Sequence, residues 1–158
     1  MNYSIIRYIL GIVLKLEGIL MCLPLIVGII YSEKSAYSYV ITIAMCLIIG
    51  TILSHKKPKD TEFYATEGYI TVSLSWVILS IFGCLPFVIS GEIPSMVDAL
   101  FETISGFTTT GASILSDVEA LSYCNNMWRC FTHWIGGMGV LVFILAILPM
   151  RGGQRMYL

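Results

Sequence analysis

Charge is what this sequence has least of. Only 12% of its 158 residues are Asp, Glu, Lys or Arg, about half the share of an ordinary soluble domain. Histidine occurs twice, at His55 and His133. The five cysteines form no CxxC pair, which leaves a redox motif or a zinc knuckle without support. Paired carboxylates, a serine elbow and a cluster with metal-ligand spacing are also missing, so a membrane enzyme is the weakest of the functional classes. A net charge of −1 gives no basic footprint for nucleic acid.

Apolar residues are abundant, at 57% of the chain, with a mean hydropathy of +0.85. The few charges are clustered. Tyr37–Ser54 is an uncharged run of 18 residues, Gly68–Ser90 one of 23, and Phe131–Met150 one of 20 in which only His133 titrates near neutrality. As helices, each is long enough to cross a hydrocarbon core about 30 Å thick. Ile9–Tyr31 is apolar apart from Lys15 and Glu17. The expectation is that both lie near an interface, where Lys15 can snorkel. No small-residue cleavage site follows, so a spanning helix is preferred to a signal peptide. The reading is an all-α integral membrane protein with four transmembrane helices, near 9–31, 37–54, 68–90 and 127–150. Pro24, Pro86 and Pro149 mark local bends within or at the ends of spans.

Placing the N-terminus inside puts Arg7, Lys15, Lys56, Lys57, Lys59, Arg151 and Arg155 on the inner side, against Lys34 and Arg129 outside. This positive-inside bias puts both termini in the cytoplasm. The run "HKKPK", His55–Lys59, is the strongest anchor. Acidic residues gather on the other side: Glu33, Glu92, Asp98, Glu102, Asp117 and Glu119. They form either a mouth that concentrates cations or an ordinary solvated loop.

The connection from Gly91 to Asn126 has 36 residues, too many for a plain hairpin. Within it, "EIPSMVDALFETISGF" reads as a helix start, with Ser95 as cap and Asp98 as the acid three positions later. About ten residues from Met96 to Ser105 make roughly 15 Å of helix, too short to cross a bilayer, so a re-entrant half-helix is expected. The segment "GFTTTGAS" follows. Gly106 offers a helix stop, three β-branched threonines favour extended backbone, and Gly111 permits a φ that other residues resist. Extended backbone at membrane depth is tolerated where it lines a wet cavity, and its carbonyls can replace the water shell of a monovalent cation.

Thr108, Thr109, Thr110 and Gly111 are therefore the candidate ion-binding residues of a selectivity-filter strand. Ser95, Asp98 and Glu102 are candidates for support of the pore helix. Glu102 is expected to hydrogen-bond backbone amides behind the filter. The rival reading is an outer turn whose threonines satisfy local backbone groups. The order of span, capped half-helix, filter segment and span favours the pore. In the last span Gly136, Gly137 and Gly139 are expected to permit close helix packing. They make no nucleotide loop, because the position that motif reserves for glycine is Val142. Cys130 and His133, with Cys124 nearby, are too few ligands for a metal.

"ALFETISGFTTTGASIL" followed by "HWIGGMGVLVFILAILPM" resembles the Trk/Ktr/HKT superfamily of potassium transporters, most closely the N-terminal portion of the bacterial Trk-type membrane subunit. The resemblance covers the whole chain. It implies a fold of four pore-loop repeats around a central potassium path, of which this chain supplies one. Residues 1–66 are then two leading transmembrane helices and a basic cytoplasmic loop, and 67–158 the first helix–pore loop–helix repeat. It implies potassium uptake across the bacterial cytoplasmic membrane, with K+ held at Thr109 and Thr110 beside the filter glycine, Gly111. In plant relatives, serine at this glycine position goes with sodium transport, so Gly111 points to potassium. K+ enters as the transported ion and no cofactor is implied. The implied partners are the remaining three pore repeats, a second copy in a homodimer, a cytoplasmic nucleotide-binding regulatory subunit and membrane lipid. One filter strand is about a quarter of a carbonyl ring, so the chain is expected to be a fragment. A non-conducting membrane interaction subunit and a sodium-conducting relative are the alternatives.

Overall fold

The computed structural model describes residues 3–57 and 65–147, and every regular element among them is an α-helix. They are α1 (Tyr3–Leu20), α2 (Cys22–Ile30), α3 (Ala36–Ser54), α4 (Ala65–Gly83), α5 (Leu85–Ser90), α6 (Met96–Phe107) and α7 (Tyr123–Ile147). Three stretches are long and apolar enough to cross a membrane: Tyr3–Ile30, Ala36–Ser54 and Glu67–Ser90. The fourth expected span corresponds to α7. Its expected last residues, 148–150, lie outside the described residues, as do Pro149, Lys59, Arg151 and Arg155.

Two of the three stretches are bent, and proline explains each bend. A proline removes a backbone donor, and its ring clashes with the carbonyl four residues earlier. Counting back from Pro24 gives Leu20, where α1 ends. Counting back from Pro86 gives Phe82, one residue before α4 ends at Gly83. Met21 closes the first break by donating its N–H to the Glu17 carbonyl at 2.9 Å.

The first helix starts at Tyr3 rather than near Ile9. Ile5, Ile6 and Leu10 are buried and pack with Ile70 and Ile78 of α4, which draws the first two turns into the fold. Glu17 consequently lies near the middle of the Tyr3–Ile30 stretch and is only 2% exposed. This corrects the expectation that it sits near an interface.

The core lies around α6. Met21, Tyr39, Cys84, Phe87, Ile93, Ala99, Phe107, Cys124 and Trp128 form one buried cluster drawn from α3, α5, α6, α7 and the turns between helices. Large apolar side chains such as Ile30, Ile48, Ile52 and Val77 face outward. In water such a surface would aggregate; here it suits contact with lipid or with further protein.

Polar groups fix the start of α7. Its free N–H groups need acceptors, and two carboxylates from distant segments supply them. Glu33 accepts from the amides of Tyr123 and Cys124 at 2.7 and 2.9 Å. Glu92 accepts from the amide of Ser122 at 3.0 Å and from the Ser35 hydroxyl at 2.9 Å. The Glu92 carboxyl is held below the usual value of 4.5: burial alone would raise it, and hydrogen bonds from Asn125, Ser122 and Ser35 outweigh that. Inside the same junction, Tyr39 donates to Asn125 Oδ1 at 2.7 Å and the Trp128 indole donates to the Gly83 carbonyl at 2.8 Å. Glu33 and Glu92 are thus engaged with α7 and do not form an open acidic rim.

Candidate functional site

The half-length helix α6 is capped by Ser95, whose hydroxyl accepts from the Asp98 amide at 3.4 Å. It runs twelve residues, and its last three, Ser105, Gly106 and Phe107, are buried. Gly106 does not end it. A side chain at Gly106 would collide with Thr132 of α7, so this glycine lets the two helices touch.

The helix ends two residues later, in a different way from the one its sequence suggests. Thr108 closes α6 with φ −83° and ψ 0°. Thr109 then takes φ +57°. The Thr109 amide donates to the Gly106 carbonyl at 2.9 Å, and the Thr110 amide donates to the Ser105 carbonyl at 3.0 Å. This pair of bonds is a Schellman closure with Thr109 at its left-handed position. Glycine usually occupies that position, because an L side chain there costs about 1–2 kcal/mol. A continuous extended filter strand is therefore corrected. β-Branched residues do favour extended backbone, but the unsatisfied carbonyls at the end of α6 recruit the next amides and force a left-handed turn. Gly111, at φ +76°, is a second left-handed residue, and it takes that conformation without strain.

The closure has a chemical consequence. The amides of Thr108, Thr109, Thr110 and Gly111 all donate back to carbonyls of Ile104, Gly106 and Ser105. Among the described residues, no hydrogen bond is donated to the carbonyls of Thr108–Gly111. The four residues are exposed in this chain. The open backbone they present consists of acceptors. The hydroxyls of Thr108 and Thr110 lie 2.8 Å apart, and Thr108 donates to the Ile104 carbonyl.

The far end of the segment is also tied to α6. Ser105 donates its hydroxyl to the Ala112 carbonyl. Glu102, 2% exposed, accepts from the Ser113 hydroxyl at 3.1 and 3.0 Å and from the Ile114 amide at 3.1 Å. It also pairs with the Arg129 guanidinium of α7. Glu102 therefore joins three elements behind residues 108–111. Asp98 sits a turn earlier and is half-buried.

Of the three candidate packing glycines, Gly136 lies against the site: a methyl there would overlap the carbonyl of Phe107. Gly139 faces the Trp76 ring, 3.1 Å from where its Cβ would be. Gly137 has only the Thr109 methyl at 4.0 Å. Cys130 faces Asn126, and the His133 ring meets the Arg129 carbonyl one turn back. Sequence reasoning missed Ser105, Ser113 and Arg129 as parts of the site. The available signal was Arg129, a lone cation at the head of an apolar helix, which calls for a buried partner.

Fold and site together define a multi-pass helical membrane protein. A half-length helix in it, buried at its C-terminal end, opens into irregular backbone of the kind tolerated at membrane depth only beside protein or a wet path. The chain belongs to the TrkH family, described as a cation transport protein, which it matches over residues 36–158. It is 36% identical to the Trk system potassium uptake protein TrkH of Salmonella typhimurium over 99% of this chain and 33% of that protein. It is 35% identical to an uncharacterised cation transporter of Methanocaldococcus jannaschii over 97% of this chain and 32% of that protein. The crystal structure of the potassium transporter TrkH from Vibrio parahaemolyticus superposes with a TM-score of 0.89 at 33% identity, covering 98% of this chain and 34% of that one. The chain spans about a third of the length of these relatives.

Proposed function

We propose that this chain contributes the first pore-forming repeat of a potassium uptake protein, in which the carbonyls of Thr108, Thr109, Thr110 and Gly111 replace part of the water shell of K+. The observation that carries this reading is the acceptor-only backbone. With every amide of the four residues turned back onto α6, the backbone of the segment offers carbonyl oxygen to a cation and no free amide to an anion. Ser95 and Glu102 support the half-helix and the returning segment, and Gly136 lets α7 approach the carbonyl that precedes the filter. Residues 1–66 serve as leading helices and 67–158 as the repeat.

One segment supplies about a quarter of a coordination shell, so three further repeats complete the path. A second copy, a cytoplasmic nucleotide-binding regulatory subunit and the bacterial cytoplasmic membrane with its lipid are the proposed surroundings. The distribution of lysine and arginine supports cytoplasmic termini. The work done is transport of K+, with no cofactor and no catalytic step.

Gly111→Ser in the native polypeptide tests the assignment. No atom lies within 4 Å of the position a Cβ would take at Gly111, so the substitution acts through the left-handed backbone and not through a clash. Ratios of K+ to Na+ uptake in cells lacking other potassium systems should fall at least several-fold. An unchanged ratio would remove residues 108–111 from the ion path.

A further inference from the structure

Glu17 is used by none of the above. It is 2% exposed, near the middle of the Tyr3–Ile30 stretch, and neither carboxylate oxygen has a hydrogen-bond partner. Its surroundings are specific. Oε1 lies 3.1 Å from where a Cβ would stand on Gly83, and the same point is 3.0 Å from the Thr103 methyl and 3.1 Å from the Phe107 ring of α6. The Gly83 carbonyl accepts from Trp128 of α7. The ionisable groups that face Glu17 are the thiols of Cys46 on α3 and Cys84 between α4 and α5. α6 presents Thr103 and Phe107. Lys15, two residues away on α1, lies along Gly50 of α3, on a different line from the carboxyl, and residues two apart do not face each other on a helix. No ion pair to Glu17 occurs among the described residues.

An ionised carboxylate in such a place, without a cation or a donor, is strongly disfavoured by desolvation. A neutral carboxylic acid there leaves a far smaller penalty, that of an unpaired polar group. We propose that Glu17 is a proton-binding site: its carboxyl holds a proton at neutral pH, and loss of that proton to water loosens the contact of α1 with Gly83 and, through Gly83, with the end of α6. The step is a plain dissociation of the carboxylic acid to a carboxylate and a proton. The oxygens then need water or a cation, because no surrounding side chain partners them. The proposal stands independently of the ion-path reading, because its readouts need no transport.

The test is infrared spectroscopy on the purified native polypeptide in lipid, with and without Glu17→Gln, which mimics the protonated acid in shape and charge. The expected result is a carbonyl stretch of a protonated carboxylic acid at pH 7, absent from the Gln variant. Wild-type Tm should fall relative to the variant as pH is raised, so that the gap between them widens. If Glu17→Gln does not accumulate, Glu17→Asp assigns the band by shifting it. Absence of a Glu17-dependent band at pH 7 overturns the proposal. So does a band that appears only when Na+ and K+ are removed, which would make the pocket a cation site. A Tm gap independent of pH overturns the coupling to packing.

Discussion

Gly11 and Gly50 bring α1 and α3 together backbone to backbone: a Cβ on Gly11 would lie 2.8 Å from the Gly50 carbonyl oxygen, and one on Gly50 would lie 2.9 Å from that of Gly11. Gly106 and Gly136 bring α6 and α7 closer still, and what they meet is Thr132 and the carbonyl of Phe107. Small residues are expected at both contacts, because lipid gives helices no hydrophobic reason to associate and close packing must do so. The difference is in what each contact holds. The first positions two helices. The second positions the peptide group next to residues 108–111, and it is reinforced by charge, through Glu102 and Arg129. One region is built for adhesion and the other for placement.

The largest effect should come from removing the charge pair at the second contact. Arg129→Gln leaves Glu102 buried without its cation, and losing one partner of a buried pair costs about 3–5 kcal/mol. Thermal or denaturant unfolding in detergent should show it. A loss under 1 kcal/mol would mean that Ser113 and Ile114 alone satisfy Glu102. Next, Gly136→Ala and Gly11→Ala should be similarly destabilising, each by about 1–3 kcal/mol of overpacking, while only Gly136→Ala alters ion selectivity. Equal selectivity changes in the two variants would dissolve the distinction drawn above.

A smaller change is expected at Thr109. Its left-handed backbone costs about 1–2 kcal/mol, and the added chain freedom of glycine costs about 0.5–1 kcal/mol. Thr109→Gly should therefore leave stability unchanged or raise it by up to about 1.5 kcal/mol, with K+ over Na+ selectivity reduced. Strain kept at a working position behaves this way. A clear loss of stability would show that the turn is not strained. The smallest effect concerns Glu92. Its folded value lies below 4.5, so its contribution to stability is complete above the ordinary carboxylate range and is lost as pH falls through the folded value. Glu92→Gln should be slightly less stable at pH 7 and lose less stability on acidification. Parallel acid-unfolding curves would assign the acid sensitivity to other groups.

What the sequence made legible were the features with a local signature. Uncharged runs marked the helices, Ser95 with Asp98 marked the start of α6, and Pro24 and Pro86 marked bends. Thr109 misled because propensity describes a residue alone, and here the carbonyls of Ser105 and Gly106 made a stronger demand on the next amides than β-branching could resist. The pairing of Glu102 with Arg129 spans 27 residues, and the contact of Glu33 with the Tyr123 amide spans 90. No periodicity predicts such encounters, and charges counted as one acidic rim prove to be divided among helix capping, a buried ion pair and solvent. Glu17 was misplaced because its depth depends on where α1 begins, and that is set by packing against α4.

The two carboxylates at the head of α7 also bear on the order of assembly. Helices of a membrane protein emerge from the ribosome in sequence, and α7 is the last of those described. When its first turn arrives, the acceptors it needs already stand on the α2–α3 turn and on the loop after α5. The leading helices thus act as a mould into which the following segment is cast. A chain synthesised without them would deliver α7 to the membrane with its first amides bare, and the carbonyl beside Gly136 would have nothing to fix its position.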